Sequence, residues 1–489
     1  MDFRTRLIAG WMFPLHERLK RHDSVAIRAE LEASQWRTRA EIEADQGQRL
    51  QQLITAASRH VPFYRDYLRE HGLNARDFTH ADALAALPVI DKQMIRTHFA
   101  AWRANNAADL IAQRTSGSSG EPLHFLLGRH RISFDIAAKW RATRWWDVDI
   151  GDRELVLWGS SIETGHQSRL RGWRDALFRS RLVPTHDLTP ARMDAILDGI
   201  RQWRPRMLFG YPSALSRLAF HARASGKAMD ELGIRVAFCT SEVLRPEWRA
   251  AIGDTFGCGV ANEYGARDAG FIARECPNGG LHVTAEEVIV EIVDADGRPL
   301  PPGNEGEVVV TNLAGPEFPF IRYRTGDRGV LSTRQCACGR GLPLLEEVSG
   351  RSNDGLVGLD GRWVHGSAVN HVMRDLAGLR AYRIVQHDVG RIVVMLALDA
   401  PDSARASTGA RLTAHLRELL GGGVQVEIEW HDTIPPLPNG KFRHIICTVD
   451  TRGAAMHPGS SGSDANRDTA AITASDTPPS TSPSAPPEP

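Results

Sequence analysis

The sequence has few cysteines and lacks any long hydrophobic run. Its 489 residues include six cysteines, which are too few and too scattered for the disulfide framework of a secreted protein of this size. No segment reaches the roughly 20 apolar residues of a membrane-spanning helix. We therefore expect a reducing, cytoplasmic setting and no membrane span.

A charge excess of either sign is also absent. The 59 Lys and Arg residues balance the 59 Asp and Glu residues, so no global field attracts nucleic acid or an anionic surface. Nucleic acid is therefore not expected among the partners. At roughly 150 residues per domain, the length predicts two to four structural units and excludes a small binding module.

The N-terminus carries a short apolar stretch after Arg4 and Arg6, which superficially resembles a signal peptide. However, Pro14 interrupts the stretch, basic residues follow it, and no small-residue cleavage site is present. We interpret residues 1–29 as a helical surface or docking segment.

Composition and pattern divide the rest of the chain into three predicted segments. A large mixed α/β domain is expected at 30–351 and a small α+β domain at 352–450. Residues 451–489 are rich in Ser, Pro, Thr and Ala and cannot bury enough apolar surface to fold, so a disordered tail is expected there.

Within the large domain, three apolar runs alternate with two helical stretches between residues 207 and 262. This βαβαβ pattern predicts a parallel sheet, and ligands bind beyond the carboxyl ends of the strands in such a sheet. Runs at 288–293 and 307–312 predict an antiparallel pair in a β-barrel-like subdomain. The predicted parallel strands end near Tyr211, Glu242, Glu263 and Tyr264.

A loop between two apolar runs is a candidate phosphate-binding loop. Glycines let backbone amides approach an anion, and hydroxyls add donors. A flexible Gly/Ser hairpin has the same composition, and the loop is not a Walker A loop, because it lacks Gly-Lys-Ser/Thr and leads to a strand. Its residues are Thr115, Ser116, Gly117, Ser118, Ser119 and Gly120.

Five segments in chain order resemble those of the adenylate-forming superfamily, the acyl-CoA synthetases and related ligases. The chain is most similar to the phenylacetate-CoA ligase group and its capsule-biosynthesis relatives, over roughly residues 30–450. The segments are the Thr115 loop, Asn262-Glu263-Tyr264-Gly265, Tyr323-Arg324-Thr325-Gly326-Asp327, Gly350-Arg351-Ser352-Asn353-Asp354 and Pro438-Asn439-Gly440-Lys441.

The resemblance implies a role for each segment. The Thr115 loop would hold the triphosphate of ATP, Tyr264 would stack on adenine, and Asp327 would bind the ribose hydroxyls. Lys441 would contact the carboxylate and the bridging phosphate oxygen, a task that suits a compact charge on a flexible stem. Arg351 would act in catalysis and mark the hinge of the small domain. The predicted ATP site also includes Glu242, Glu263, Gly265 and Arg351.

The segment after Gly265 departs from the family pattern. Where the family has a small residue, a hydroxyl residue and glutamate, this chain has Ala266, Arg267 and Asp268. The family glutamate helps to hold magnesium, and Asp268 is one methylene shorter, so a ligated water is expected between it and the ion. Arg267 has two interpretations, a phosphate contact and a salt bridge.

Two further groups of residues have open interpretations. Trp158 and Tyr211 are predicted walls of the acid pocket, with core packing as the alternative. Four soft or borderline donors could close a tetrahedral structural zinc site, as in some members of the resembled group, and inert buried thiols beside a surface histidine are the alternative. These donors are Cys276, His282, Cys336 and Cys338.

The leading hypothesis is an ATP- and Mg²⁺-dependent ligase that converts a carboxylic acid, with aryl acids favoured, to an acyl-adenylate and then to a thioester. Coenzyme A or the phosphopantetheine of an acyl-carrier protein would supply the thiol, and a homodimer is left open. One alternative is acyl transfer to a hydroxyl or amine in polysaccharide or secondary-metabolite biosynthesis. A second is a non-catalytic nucleotide-binding relative.

Overall fold

Helices form the N-terminal part of the computed structural model. The structure describes residues 2–115, 123–158, 168–185, 188–351, 355–365, 369, 372–373, 376, 378–399, 402–437 and 442–449. The first helices are α1 (Phe3–Leu7), a π-helical turn (Ile8–Met12), α2 (Phe13–Leu19), α3 (Ser24–Ser34), α4 (Arg39–His60) and α5 (Pro62–Glu70).

Local sequence signals explain where α4 begins and ends. Thr38 and Glu41 form a reciprocal capping box at its N-terminus, which satisfies two otherwise unpaired amides. Pro62 ends the helical pattern, as expected, because proline cannot continue a helix, and it then occupies the first turn of α5, where its missing N–H costs nothing.

Short elements then lead to a hairpin and a long helix. The hairpin strands are antiparallel, with Ile111 opposite Leu127. The elements are two 3₁₀ turns (Ala75–Asp77, Ala81–Ala86), α6 (Lys92–Thr97), α7 (Phe99–Trp102), β1 (Ile111–Arg114), β2 (His124–Leu127) and α8 (Arg129–Arg144).

The predicted parallel sheet is confirmed. Its strands have the order β4-β3-β5-β6-β7, and they are all parallel. Helices pack on it through a core of apolar side chains. The elements are β3 (Glu154–Trp158), α9 (Ser168–Leu177), β4 (Ser180–Pro184), α10 (Pro190–Trp203), β5 (Met207–Gly210), α11 (Pro212–Ala224), β6 (Val236–Thr240), α12 (Pro246–Phe256) and β7 (Gly259–Ala266).

The strands assigned to the barrel-like subdomain form the antiparallel part of the same 11-stranded sheet. From β7 the order continues β8-β9-β13-β12-β11-β10, and the predicted pairing of 288–293 with 307–312 is confirmed. The strands are β8 (Gly270–Glu275), β9 (Leu281–Val283), β10 (Val288–Val293), β11 (Glu305–Asn312), β12 (Tyr323–Leu331) and β13 (Leu344–Arg351).

A second, four-stranded sheet of order β18-β17-β16-β19 forms the C-terminal part around its own apolar core. Its elements follow the predicted small α+β pattern, while the exact domain boundaries stay a prediction. In the described part of the chain, no helix is long and apolar enough to cross a bilayer. The elements are β14 (Gly355–Val357), β15 (Trp363–His365), β16 (Leu379–Asp388), β17 (Arg391–Leu398), α13 (Asp402–Leu420), β18 (Gln425–Trp430) and β19 (Ile445–Cys447).

Candidate active site

The candidate site lies at the carboxyl ends of β5, β6 and β7. The three strands are parallel neighbours, with Thr240 at the end of β6 opposite Glu263 in β7. Parallel neighbours end at one edge of a sheet, which is where such folds bind ligands. Tyr211, Glu242 and Tyr264 therefore share an edge, as the sequence predicts.

Tyr264 and Asp327 meet at this edge. The Tyr264 hydroxyl donates a hydrogen bond of 2.9 Å to Asp327 Oδ2 and lies 3.3 Å from Thr325 Oγ1. Burial, together with the Asp327 charge, raises the pKa of Tyr264 well above its usual value, so the phenol stays protonated and remains the donor. Two residues predicted to contact adenosine are thus joined by one hydrogen bond.

A tight turn between β7 and β8 shapes the floor of the site. A Cβ at Gly265 would lie 2.8 Å from the Gly270 carbonyl oxygen, so the register shift at this point requires glycine. Glu263 is buried, and its carboxylate accepts a 2.8 Å hydrogen bond from Arg274 Nε. The proposed ATP contact of Glu263 stays a prediction.

Asp268 lies in the same turn and is 4% exposed. Its Oδ2 accepts a 2.5 Å hydrogen bond from the Tyr323 hydroxyl, and its Oδ1 accepts a 3.2 Å hydrogen bond from the Ala269 amide. A carboxylate offers about four lone-pair sites, so acceptor capacity remains on both oxygens. The arrangement fits the predicted water-mediated contact to magnesium.

A buried ionic cluster behind this turn was not recognised from the sequence. Arg131 Nε lies 3.1 Å from Glu287 Oε1, which also accepts a 3.2 Å hydrogen bond from Asn312 Nδ2. Asn312 donates in addition to the Ala269 carbonyl oxygen at 3.2 Å. A detectable signal was the glutamate pair at 286–287 directly before an apolar strand, because charged residues are rarely fully buried unless paired.

The candidate phosphate loop joins β1 to β2. Thr115 closes its base, because its amide donates to the Leu123 carbonyl and its hydroxyl accepts from the Leu123 amide at 2.9 Å. Arg267 donates a 3.2 Å hydrogen bond to the Arg114 carbonyl oxygen, so it ties the β7–β8 turn to the loop base. Residues Ser116, Gly117, Ser118, Ser119 and Gly120 lie outside the described residues.

Glu242 connects the sheet edge to the C-terminal part. Its Oε2 accepts a 3.2 Å hydrogen bond from the Ser213 amide at the start of α11, and its Oε1 accepts one from the Phe442 amide. Lys441 lies outside the described residues, but Phe442 is the next residue in the chain. The segment that follows the predicted catalytic lysine is therefore held at the carboxyl end of the sheet.

Arg351 is the last residue of β13, and its backbone pairs with that of Asp327 in β12. The antiparallel pairing brings the predicted hinge to the predicted ribose-binding residue. The role of Arg351 in catalysis and in ATP binding stays a prediction.

Helix α12 packs against the C-terminal sheet. Arg245, its N-cap residue, donates a 2.6 Å hydrogen bond to the Tyr382 hydroxyl and a 3.1 Å hydrogen bond to His444 Nε2. The Trp248 indole donates to the Arg380 carbonyl oxygen at 2.7 Å. Burial, followed by the Arg245 charge, lowers the pKa of His444 well below its usual value.

Trp158 and Tyr211 stack on each other at the ends of β3 and β5, with ring centroids 4.6 Å apart. Tyr211 is fully buried, and Trp158 is partly buried and packs against the helical core of the parallel sheet. The structure brings the two predicted pocket residues together. Their role in acid binding stays a prediction.

Four potential metal ligands form a cluster between β8, β9 and the β12–β13 loop. Their donor atoms all lie within 4.8 Å of one another. Cys276 Sγ lies 3.6 Å from Cys336 Sγ, and Cys338 Sγ lies 3.2 Å from His282 Nε2. Zinc–sulfur bonds of about 2.3 Å place two thiolates about 3.8 Å apart in a tetrahedron, so the donor set fits zinc.

Neighbouring groups support metal binding by this cluster. A Cβ at Gly280 would lie 2.6 Å from Cys336 Sγ, so glycine leaves room for the donors. Burial, with the Arg340 charge, lowers the pKa of His282 to about 4, which keeps its ring neutral. Although burial opposes ionisation, hydrogen bonds from Arg340 lower the pKa of Cys338, and thiolate is the form that binds metal.

Two family models match the chain. The model described as AMP-binding enzyme matches residues 176–314, which include the strands β5 to β8 and Glu242, Tyr264 and Asp268. The model described as CapK C-terminal domain matches residues 356–448, which include the four-stranded sheet.

Curated proteins of similar sequence have one common activity. The phenylacetate-coenzyme A ligase of Thermus thermophilus is 26% identical over 332 residues, which cover 65% of this chain and 72% of that protein. The phenylacetate-coenzyme A ligase of Escherichia coli is 26% identical over 327 residues, with the same coverage of each chain.

Solved structures of a CoA ligase have a fold similar to that of this chain. A 2-hydroxyisobutyryl-CoA ligase in its postadenylation state aligns with a TM-score of 0.68 and 21% identity, over 85% of this chain and 91% of that chain. The same ligase in its thioesterification state aligns with a TM-score of 0.56 and 22% identity, over 83% of this chain and 90% of that chain. At this identity, the likeness establishes the fold.

Proposed function

Because this chain belongs to the adenylate-forming superfamily, in its phenylacetate-CoA ligase-like group, we propose that it activates a carboxylic acid with ATP and transfers the acyl group to a thiol. An acid oxygen attacks the α-phosphorus of ATP, the bond from that phosphorus to the bridging oxygen breaks, and pyrophosphate leaves. The thiol sulfur then attacks the acyl carbon, its proton passes to solvent, and AMP leaves.

The two hydrogen bonds of Glu242 carry the proposal. One carboxylate joins the α11 N-terminus at the sheet edge to the amide of Phe442, directly after Lys441 in the chain. We propose Tyr264, near the end of the adjacent strand β7, and its hydrogen-bond partner Asp327 of β12 as the adenosine contacts. The proposed lysine segment and the proposed nucleotide contacts are thereby neighbours.

The chain's own residues would contribute positioning and charge. Asp327 would accept hydrogen bonds from the ribose hydroxyls, since a carboxylate offers about four lone-pair sites. Lys441 would stabilise charge that develops on the bridging phosphate oxygen, because a preorganised cation is most effective where charge develops in the transition state. No covalent bond to the protein is required.

Magnesium, when bound, would neutralise phosphate charge. Asp268 is the residue proposed to hold it, through a ligated water, because its contact with Tyr323 leaves acceptor capacity on the carboxylate. Arg267, next to Asp268, would lie at the base of the phosphate loop through its bond to the Arg114 carbonyl.

We propose an aryl acid as substrate and coenzyme A as acceptor. The stacked Trp158 and Tyr211 rings support a flat, apolar acid, because aromatic faces favour stacking on another ring. A carrier-protein phosphopantetheine, and a hydroxyl or amine acceptor, are the alternatives. Product analysis with and without coenzyme A separates them.

Acid-dependent ATP–pyrophosphate exchange tests the proposal across a panel of aryl, fatty and sugar acids. Lys441→Ala should reduce exchange strongly while thioester formation from preformed acyl-adenylate survives. Lys227→Ala is the matched control, because Lys227 follows α11 and pairs with Asp194 and Asp198 on α10. Equal loss of both half-reactions would contradict the role of Lys441, and no exchange with any acid would favour a non-catalytic relative.

For the cysteine–histidine cluster we propose a structural zinc ion with no open coordination position. Metal analysis of purified protein should give about one zinc per chain, as expected for one tetrahedral site, and a Cys336→Ser, Cys338→Ser double variant should lose it. The matched control is Cys258→Ser, outside the cluster. A stable wild-type protein without zinc would refute the proposal.

We also propose a reducing, cytoplasmic location. All six cysteines are free thiols in the structure, which agrees with the rarity of disulfides in reducing compartments.

A further inference from the structure

The N-terminal helical segment exposes an unusual row of large apolar side chains. The members recur every four residues along α1, the π turn and α2, and two more lie on the neighbouring helix α9. Monomeric proteins rarely expose contiguous apolar surface of this kind without a binding role. The exposed fractions are 79% for Phe3, 45% for Leu7, 77% for Trp11, 60% for Leu15, 78% for Leu19, 80% for Trp173 and 49% for Leu177.

The opposite face of the segment is firmly attached to the protein. The Thr5 hydroxyl is within 2.9 Å of Asp152 Oδ1, and the Phe13 ring packs edge-on against Trp140 and Phe178 with centroids 5.1 and 5.6 Å away. Glu17 is buried and contacts His16, His22 and Ser24. These contacts fix which face points outward.

The π turn helps to keep the apolar row on one side. In an α-helix, a step of four residues advances about 40° beyond a full turn, so a row with this spacing winds around the helix. A π turn has more residues per turn, so each residue rotates by a smaller angle and the row winds less around the helix. Its position at Ile8–Met12, in the middle of the row, keeps Phe3 and Leu19 closer to a common face.

Basic side chains flank the row. Arg4, Arg6, Arg18, Lys20 and Arg21 are exposed. Among the acidic residues nearby, Asp2 pairs with Arg179, Glu17 is buried and Asp175 pairs with Arg174, while Asp23 is exposed next to this surface; the cations of the segment still outnumber its acidic residues. The net charge of the whole chain is zero, so this local positive surface is not apparent from the composition.

We propose that this face, defined by α1, the π turn, α2 and α9, docks the protein on an anionic membrane surface. An amphipathic helix with Trp, Phe and Leu on one side and Lys and Arg beside them lies in the bilayer interface, with its apolar row among the acyl chains and its cations at the headgroups. Exposed tryptophans are typical of this depth.

Other occupants match the face less well. A second copy related by a two-fold axis would place the basic residues of this face opposite the same basic residues of the other copy. The chain's own residues 451–489 offer only Met456 and Ile472 as large apolar side chains, which is too few for a row of seven. An anionic bilayer satisfies both the apolar row and the cations.

Vesicle sedimentation of the purified full-length protein tests the proposal. We expect binding to equimolar phosphatidylcholine and phosphatidylglycerol vesicles, little binding to phosphatidylcholine alone, and weaker binding at high salt. Trp11→Ser with Leu15→Ser should weaken binding by roughly tenfold or more. Arg4→Gln with Arg18→Gln should weaken it by about fivefold per residue.

The matched control pair is Leu359→Ser with Arg362→Gln, an exposed leucine and arginine near the β14–β15 hairpin; it should bind like the wild type. Unfolding midpoints verify that each variant is folded. Absence of binding to the anionic vesicles at low salt would overturn the proposal, as would unchanged binding of the Trp11, Leu15 variant. A dimer that this variant dissociates, without vesicle binding, would assign the face to a second copy.

Discussion

His444 is a neutral histidine between two arginines, and its surroundings make a pH effect calculable. Arginine is only a donor, so the 3.1 Å bond from Arg245 Nε identifies His444 Nε2 as the acceptor. The proton therefore lies on Nδ1, which donates to the Tyr382 carbonyl oxygen at 3.0 Å. Protonation of Nε2 would break the Arg245 bond and add a third cation beside Arg245 and Arg383.

The sign and size of the effect follow from linkage. The pKa of His444 is lowered in the folded protein by burial and by Arg245. At pH values near and below 6.5 the unfolded chain therefore binds more protons than the folded protein, and the free energy of unfolding decreases as the pH is lowered. An unperturbed histidine has a pKa of about 6.5 and each unit corresponds to about 1.4 kcal/mol. Lowering the pH from 7.5 to 5.5 should therefore cost up to about 1.4 kcal/mol through this residue.

Urea unfolding at pH 7.5 and 5.5 measures the effect as the change in the free energy of unfolding. His444→Gln is the informative variant, because a glutamine oxygen can accept from Arg245 but does not titrate, and it should remove the part of the loss that this histidine causes, up to about 1.4 kcal/mol. His415→Gln, on α13, is the matched control and should keep the wild-type loss. If His444→Gln lost stability on acidification as the wild type does, the tautomer assignment would be wrong.

Three further predictions concern the turn and the nucleotide contacts. Gly270→Ala should lower the free energy of unfolding by about 1–3 kcal/mol in urea titrations. The φ of Gly270 is +108°, and a Cβ there would lie 2.8 Å from Arg131 Nη2 and Glu287 Oε1. Gly199→Ala, where a Cβ would meet nothing within 4 Å, is the control and should not lower this free energy. Tyr264→Phe should raise the KM for ATP by about fivefold in pyrophosphate exchange, through loss of one hydrogen bond to Asp327, and an unchanged KM would count against the proposed ribose contact. Asp268→Asn should raise the Mg²⁺ concentration needed for half-maximal exchange, and an unchanged Mg²⁺ dependence would exclude this carboxylate from the metal site.

Local pattern was sufficient for much of the fold. Alternating apolar runs and helical stretches predict the β5-α11-β6-α12-β7 unit, because each run needs only its own neighbours to be recognised. The five segments that follow the family order then predict that Tyr264 and Asp327 share a site, and the two side chains are hydrogen-bonded. The cysteine and histidine spacing predicts a donor cluster, and the four donors do converge.

Pairing between distant polar residues could not be predicted in this way. Arg131 and Glu287 are 156 residues apart in the sequence, and neither lies in a sequence pattern that indicates the other as its partner. The same holds for Glu242 and Phe442, whose contact depends on how two separate sheets pack. The exposure of Trp11 also needed the structure, because the periodicity of an apolar row does not say which face meets the protein.

The packing of α12 against the C-terminal sheet agrees with movement of the small domain about the hinge that the sequence predicts at Arg351. Among the described residues, the apolar cluster at this contact has four buried members and four partly buried ones, which is fewer than in the core of the C-terminal part. The buried members are Trp248, Ala397, Ile434 and Phe442, and the partly buried ones are Phe220, Leu244, Ala381 and Met395. Hydrogen bonds from Arg245 and Trp248 add polar contact, which water can replace at a small net cost. Separation would therefore expose less apolar surface than unfolding of the C-terminal part, as the predicted movement of the small domain requires.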